Sequence, residues 1–371
     1  MGVVIVGAGQ AGFQVAWSLR TEGFSESITL IGDEPYLPYQ RPPLSKGFLL
    51  GKQELESATL RPEKFYQDQR IDLILGERVA SIDRASRRVV LASGAGIPYD
   101  SLVLATGARV RKLPDPSALY LRDLDDAARL KDRLDRASRV LVIGGGFIGL
   151  EVASAARATG KDVTVVELQP RLMARCVAPV ISDFFRDLHR RHGVEILFGA
   201  GAPPPPADLV VTGIGVTPNL ELAQEAGLPV SDGIGIDDHL RTADPRIYAI
   251  GDCAVHGQRG RLESVQNAVD QARCAAANIA GKNQPYTAVP WFWTDQFDAK
   301  LQMAGLSGAA DQTVIRGTAP RFSVFYFRSG RLIAVDSLNR PADHMAARKL
   351  LAAGSTLTPE QAADESFALK V

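Results

Sequence analysis

Val3-Val4-Ile5-Val6-Gly7-Ala8-Gly9-Gln10-Ala11-Gly12 is the stretch whose reading decides the fold. Its four apolar residues read as a buried parallel strand. Gly7-x-Gly9-x-x-Gly12 follows, and Phe13 to Leu19 continues with helical spacing. Strand, glycine turn and helix in that order are the context that makes GxGxxG a dinucleotide fingerprint. Gly7 permits the tight turn, Gly9 lets the backbone approach a pyrophosphate, and Gly12 lets helix and strand pack closely. The helix N-terminus then offers unpaired N–H groups and a positive dipole end to the phosphates. A second strand, Ile28 to Ile31, ends in Gly32-Asp33-Glu34, which puts Asp33 twenty-six positions after Gly7. That is near the spacing at which an acid accepts a hydrogen bond from an adenosine ribose.

The same pattern recurs. Arg139 to Ile143 runs into Gly144-Gly145-Gly146-Phe147-Ile148-Gly149 and a helix from Leu150, and the next strand, Val163 to Val166, ends in Glu167. One such motif is weak evidence. Two, each with strand, helix and a following acid, predict two dinucleotides bound by one chain. Both units also end alike. Leu102-Val103-Leu104-Ala105-Thr106-Gly107 and Leu209 to Gly215 each close a buried strand with small residues, where backbone approaches ligand.

Composition narrows the classes. A chain of 371 residues, 46% hydrophobic, buries a large core in two or three domains. With 42 basic and 42 acidic residues it has no net charge, which argues against a general nucleic-acid or anionic-membrane binder. No apolar run approaches the ~18–20 residues of a membrane span. The first strand starts at Val3, so a cytoplasmic location is expected. Cys176, Cys253 and Cys274 are far apart, without a Cys-x-x-Cys pair, so neither a dithiol centre nor a metal site is expected.

Between the motifs, Tyr36-Leu37-Pro38-Tyr39-Gln40-Arg41-Pro42-Pro43-Leu44-Ser45-Lys46 is stiffened by three prolines, which forbid regular helix. It reads as a solvated connector or, beside a dinucleotide site, as a clamp carrying two cations. Leu113-Pro114-Asp115-Pro116 marks a linker, and Leu124 to Leu134 a helix. Ile247 to Ile250 stops at Gly251-Asp252, where the acid either holds sugar hydroxyls or caps the helix starting near Glu263. Beyond Trp291-Phe292-Trp293, residues 322–327 and 332–335 predict a hairpin, and 342–352 a helix.

Taken together, the chain resembles the glutathione-reductase superfamily, and within it the NADH-dependent ferredoxin reductases of bacterial oxygenase systems. The resembling residues are Pro38-Tyr39, Arg41 to Lys46, Ala105-Thr106-Gly107, Gly144 to Glu151, Gly251-Asp252, Glu263-Ser264-Val265 and Pro290 to Gln296. The resemblance implies an α/β fold with two Rossmann-like domains, for FAD and NADH, followed by a C-terminal α+β interface domain. It places an FAD domain at 1–110 and 232–290, an NADH domain at 111–231 and the third at 291–371. It assigns FAD to Gly7, Gly9, Ala11, Gly12, Asp33, Arg41, Lys46, Val79, Ala105, Thr106, Gly107, Arg122, Gly251, Asp252 and Val265. NADH falls to Gly144, Gly146, Ile148, Gly149, Glu167 and Gly215. Lys46 and Glu151 are expected to pair beside the flavin's reactive edge, with Trp291 or Trp293 covering it toward the protein partner; these four are the catalytic candidates. Glu167 favours NADH, because a carboxylate accepts a ribose 2′-OH and repels a 2′-phosphate. Arg171 and Arg175 nearby pull the other way.

The implied reaction carries electrons from NADH through FAD to a [2Fe–2S] ferredoxin that feeds a cytochrome P450 or ring-hydroxylating oxygenase. An NADH oxidase or rubredoxin reductase would share the fold and differ in acceptor. A redox-sensing interaction protein like apoptosis-inducing factor would be expected to show a long targeting segment and a basic surface. A flavin disulfide reductase needs a cysteine in the loop where this chain has Pro43-Leu44-Ser45-Lys46. Residues 199–208 and 253–262 are shorter than the family pattern, the first by some twenty residues where a β-meander is expected. In the C-terminal domain, Arg316, Arg321, Arg328, Arg331 and Arg340 either cluster as a ferredoxin patch or are ordinary surface.

Overall fold

A computed structural model describes residues 2–199 and 205–370. Two compact units divide the chain. The first comprises Met1–Gln40, Glu56–Arg109 and Val216–Ala288, and the second Arg41–Leu55, Val110–Gly215 and Val289–Val371. Drawn this way, 216–231 belongs with the first dinucleotide motif and 41–55 with the second. The second motif and the C-terminal module share one unit.

The first unit is built on a five-stranded parallel sheet. Its order is Ile247–Ala249, Ser101–Leu104, Val3–Val6, Ile28–Gly32 and Ile71–Leu75. Val3 to Val6 are all buried, as a strand covered on both faces requires. On one face the helix Gln10–Thr21 packs against Val265–Ile279, and small residues permit the approach: Ala268, Ala272, Ala275 and Ala276 are buried against Phe13, Val15 and Leu19. The other face is covered by a three-stranded antiparallel sheet of Val79–Asp83, Arg88–Leu91 and Gly96–Pro98. Its last two strands form a hairpin, with Arg88 opposite Pro98.

In the second unit a four-stranded parallel sheet runs in the order Val194–Phe198, Asp162–Glu167, Arg139–Ile143, Leu209–Thr212. In both parallel sheets the glycine-turn strand lies between the strand that follows it and one that returns much later. Such a reversal leaves a crevice at the strands' C-terminal ends, where ligands bind in sheets of this type. The C-terminal module extends the expected hairpin to five antiparallel strands, ordered Trp291–Gln296, Ala299–Gly305, Arg331–Leu338, Arg321–Arg328 and Gln312–Thr318. Trp291–Gln296, Ala299–Gly305 and Gln312–Thr318 escaped the sequence reading, although Ala299-Lys300-Leu301-Gln302-Met303 alternates apolar with polar residues. The helix Pro341–Ala353 covers one face, burying Ala347 and Leu350 against Phe325 and Val335.

Two stretches singled out in the sequence take compact local forms. The proline-rich loop is not devoid of helix, because Pro42–Ser45 forms one 3-10 turn, in which a proline at the first position loses no needed N–H. The short 253–262 stretch folds as the strand Ala254–His256 and a tight return, with Gly260 donating to His256 O at 2.8 Å. In the other short stretch, residues 200–204 lie outside the described residues.

Candidate functional site

The two glycine turns match in local geometry although 137 residues separate them in sequence. Gly7 has φ +111° and Gly144 +108°, a region that L side chains rarely enter. Gly7 N–H donates to Ile31 O at 2.8 Å, and Gly144 N–H to Val166 O at 2.8 Å. A Cβ at Gly12 would lie 1.9 Å from Gly7 O, and one at Gly149 2.1 Å from Gly144 O. These four glycines are demanded by the chain itself.

The middle glycines are not. Gly9 has φ −80° and a Cβ there would meet nothing within 4 Å; Gly146 has φ −83° and its nearest atom would be 3.9 Å away. Neither conformation nor packing requires glycine at these positions, and each precedes a helix whose first N–H groups have no acceptor in the helix. Open space before such donors fits a pyrophosphate. The residues present therefore fit a dinucleotide in each unit.

Around the first turn, three strand ends converge. Ala105 O lies 2.1 Å from the position a Gly7 Cβ would occupy, and a Gly251 Cβ would touch Ala11 Cβ at 3.3 Å. The Ala105–Gly107 backbone is held by Asn219, whose Nδ2 donates to Thr106 O at 2.8 Å and whose carbonyl accepts from Thr106 Oγ1 at 2.9 Å. Gly251 N–H donates to the buried Gln271 Oε1 at 2.7 Å. Ser264 caps the Val265–Ile279 helix by accepting from Asn267 N–H, which removes the capping role considered for Asp252. Val265 is that helix's first residue, Val79 is buried in the antiparallel sheet, and Asp33 stands exposed after the second strand. Cys253 is a buried thiol beside Ile250 O at 3.3 Å, and burial pushes its pKa up, away from the thiolate that disulfide exchange needs.

In the second unit Glu167 is already oriented. One carboxylate oxygen accepts from Gly145 N–H and the other from Gln169 N–H, each at 2.7 Å. Arg171 donates to Val177 O and Ala174 O of its own loop and to Ser182 Oγ of the following helix, at 2.6–2.8 Å. Ile148 is 45% exposed on the first turn of its helix, and Gly215 has φ +99°.

The same unit contains the Lys46–Glu151 pair. Lys46 Nζ lies 2.8 Å from Glu151 Oε2, and the carboxylate is 2% exposed. Ser45 Oγ donates to the same oxygen at 2.5 Å, and Thr294 Oγ1 to Oε1 at 2.7 Å. Arg41 Nη1 donates to Arg122 O at 2.5 Å, joining two residues assigned to FAD. The Trp291 and Trp293 rings lie 5.5 Å apart, with the Arg348 guanidinium 4.8 Å over Trp291. Arg316 does not belong to a surface patch. It is 5% exposed, with its guanidinium donating to the carbonyls of Ala362, Asp364, Glu365 and Phe367. Arg340 pairs with Asp343 and Glu365, while Arg321, Arg328 and Arg331 are exposed.

Sequence reading gave no role to Ser45, Asn219, Gln271 or Thr294. Ser45 and Thr294 sat inside quoted motifs and were within reach. Asn219 and Gln271 act across folded strand ends and leave no local signal.

A duplicated nucleotide cradle followed by an antiparallel C-terminal sheet is the architecture of a two-nucleotide flavoprotein reductase. The chain belongs to the pyridine nucleotide-disulphide oxidoreductase family, whose model matches residues 1–203 and 205–272; residues 291–371 match the reductase C-terminal family. Within the family its likeness is to the ferredoxin reductases. It is 51% identical to rhodocoxin reductase of Rhodococcus erythropolis over 401 residues, covering 100% of this chain and 94% of that one. That alignment is thirty positions longer than this chain, so the relative carries residues that this chain lacks. A ferredoxin reductase from Rhodopseudomonas palustris superposes with a TM-score of 0.96 at 50% identity, covering 99% of this chain and 98% of that one. The covalent putidaredoxin reductase–putidaredoxin complex gives 0.95 at 41% identity, covering 99% and 97%.

Proposed function

We propose that the chain carries electrons from NADH through FAD to a [2Fe–2S] ferredoxin in the cytoplasm, supplying a cytochrome P450 or ring-hydroxylating oxygenase. The observation that carries this reading is the pair of glycines, Gly9 and Gly146, that nothing internal to the protein requires. When bound, the nicotinamide supplies two electrons as a hydride, and the flavin takes them together and releases them singly. The chain's own residues bind and orient.

Gly7, Gly9, Ala11 and Gly12 would hold the FAD pyrophosphate with backbone donors, and Asp33 would accept from the ribose. Val79, Ala105, Thr106, Gly107, Gly251, Asp252 and Val265 would line the rest. Arg41, Lys46 and Arg122 are assigned to the same cofactor by the family resemblance. Gly144, Gly146, Ile148, Gly149 and Gly215 would take the NADH, with Glu167 reading its ribose. Two backbone donors already aim that carboxylate, and three of the five Arg171 N–H groups are directed to Val177 O, Ser182 Oγ and Ala174 O. Lys46, held by Glu151, would stabilise negative charge near the flavin. Trp291 and Trp293 would face the partner.

Stopped-flow reduction of the yellow protein tests the reading. NADH should reduce the bound flavin at least roughly tenfold faster than NADPH, the loss expected when a carboxylate opposes a phosphate. The reduced protein should then reduce a [2Fe–2S] ferredoxin. A folded protein that stays colourless with added FAD would overturn the nucleotide assignment. Rapid oxidation by O₂ with no ferredoxin response would replace the acceptor by oxygen.

A further inference from the structure

Glu151 accepts from three groups, and one of them opens a buried polar chain that pairing with Lys46 does not need. Thr294, Gln296 and His189 are each 0% exposed. They come from the strand Trp291–Gln296, packed on the Glu151 helix, and from the helix Pro179–Arg191, whose His189 meets that strand at Gln296. Successive strand residues face opposite ways. The spacing that puts Trp291 and Trp293 on one face therefore puts Thr294 and Gln296 on the other. Phe297 N–H donates to Ser154 Oγ at 2.8 Å and pins the end of this strand to the Glu151 helix.

The direction of every bond in the chain follows from the carboxylate. An ionised carboxylate only accepts, so Thr294 must donate its hydroxyl proton to Glu151 Oε1. The Thr294 oxygen is then left to accept, which it does from Gln296 Nε2 at 3.2 Å. The amide is thereby oriented, with Oε1 turned to His189 Nε2 at 2.9 Å. An amide oxygen only accepts, so His189 Nε2 carries the proton. Its Nδ1 is bare and has no hydrogen-bond partner among the described residues. Burial pushes the His189 pKa down to about 4, which agrees with a neutral ring.

We infer that Thr294, Gln296 and His189 are positioning residues for Glu151. They fix its Oε1 so that Oε2 faces Lys46. The inference rests on the proposed role of the Lys46–Glu151 pair in flavin reduction. The threonine is the decisive link, because valine has its shape without the donor.

The test uses the FAD-loaded holoprotein and four variants. Glu151→Gln measures what the pair contributes to reduction by NADH, and should slow it by roughly tenfold or more. Thr294→Val should approach that loss, with KM for NADH within about twofold of wild type, since nucleotide contacts are untouched. Thr294→Ser should restore most of the rate. Nitrogen-15 NMR of the five histidines, with His189 assigned through His189→Gln, should show His189 as the neutral Nε2–H tautomer. Wild-type rate in Thr294→Val alongside a slow Glu151→Gln overturns the inference. So does an Nδ1–H tautomer in the wild type, whether or not the valine variant folds. A fast Glu151→Gln would instead overturn the role of the pair, and the histidine spectrum would still judge the network.

Discussion

Asp336 is 3% exposed and accepts from Tyr326 Oη at 2.6 Å, while the same phenol accepts from Ala178 N–H at 3.1 Å. Burial raises the carboxyl pKa to about 7, outweighing the tyrosine bond that lowers it. In the unfolded chain the group titrates near its ordinary ~3.9. Between those two values the folded protein holds a proton that the unfolded chain has lost. The contribution to stability is therefore whole below about pH 4 and is lost as pH rises toward 7, with a slope of about 1.4 kcal/mol per unit. Asp336→Asn keeps an acceptor for Tyr326 and removes the titration. Its advantage over wild type in urea unfolding should grow from pH 5 to 7 and then level off; a gap independent of pH would refute this account. His189 and His344 act oppositely. Burial lowers both to about 4, so their contribution is present above pH 6.5 and is lost as pH falls through 4.

At the scale of elements, the strand–turn–helix unit separates structural glycines from ligand glycines. Gly12→Val would drive a side chain into Gly7 O and should not yield folded protein. A Cβ at Gly9 would meet nothing within 4 Å, so in Gly9→Val unfolding of the flavin-free form should change by no more than about 1 kcal/mol, the scale of a helix-cap exchange. Flavin retention, read from absorbance after gel filtration, should nevertheless fall by roughly tenfold or more, since the added methyls occupy pyrophosphate space. Gly146→Val should stay yellow and lose reduction by NADH. A Gly9→Val protein as yellow as wild type would refute the distinction. The C-terminal tail gives a second case, because Arg316 ties it to the strand Gln312–Thr318. Arg316→Met should cost roughly 1.5–3 kcal/mol per lost charge-assisted bond, shared among relaxing partners, and limited proteolysis should then clip near 358–367. Unaltered protease resistance would show that the tail is held by other contacts. The glycine units were legible in sequence, because turn and helix start are set by neighbouring residues. The Arg316 tether was not, because its acceptors are backbone carbonyls more than forty positions away.

For the whole molecule, the two-nucleotide reading makes a prediction about electron count. One NADH should reduce two equivalents of a one-electron [2Fe–2S] carrier, measured by anaerobic titration of both absorbances. A ratio of one to one would remove the single-electron acceptor from the scheme. The sequence by itself determined the two parallel sheets, the two nucleotide cradles and their order along the chain. Those depend on apolar runs, on glycines forced into positive φ, and on acids a short distance downstream, all of which are local properties of the backbone. It also contained Lys46 and Glu151, whose pairing could be expected only through family resemblance. Tertiary structure alone decided which polar groups surround that pair. Thr294 reaches Glu151 across 143 positions, and hydrogen bonds act within about 3 Å of space regardless of separation in sequence. Only the packing of strand on helix brings such groups within reach.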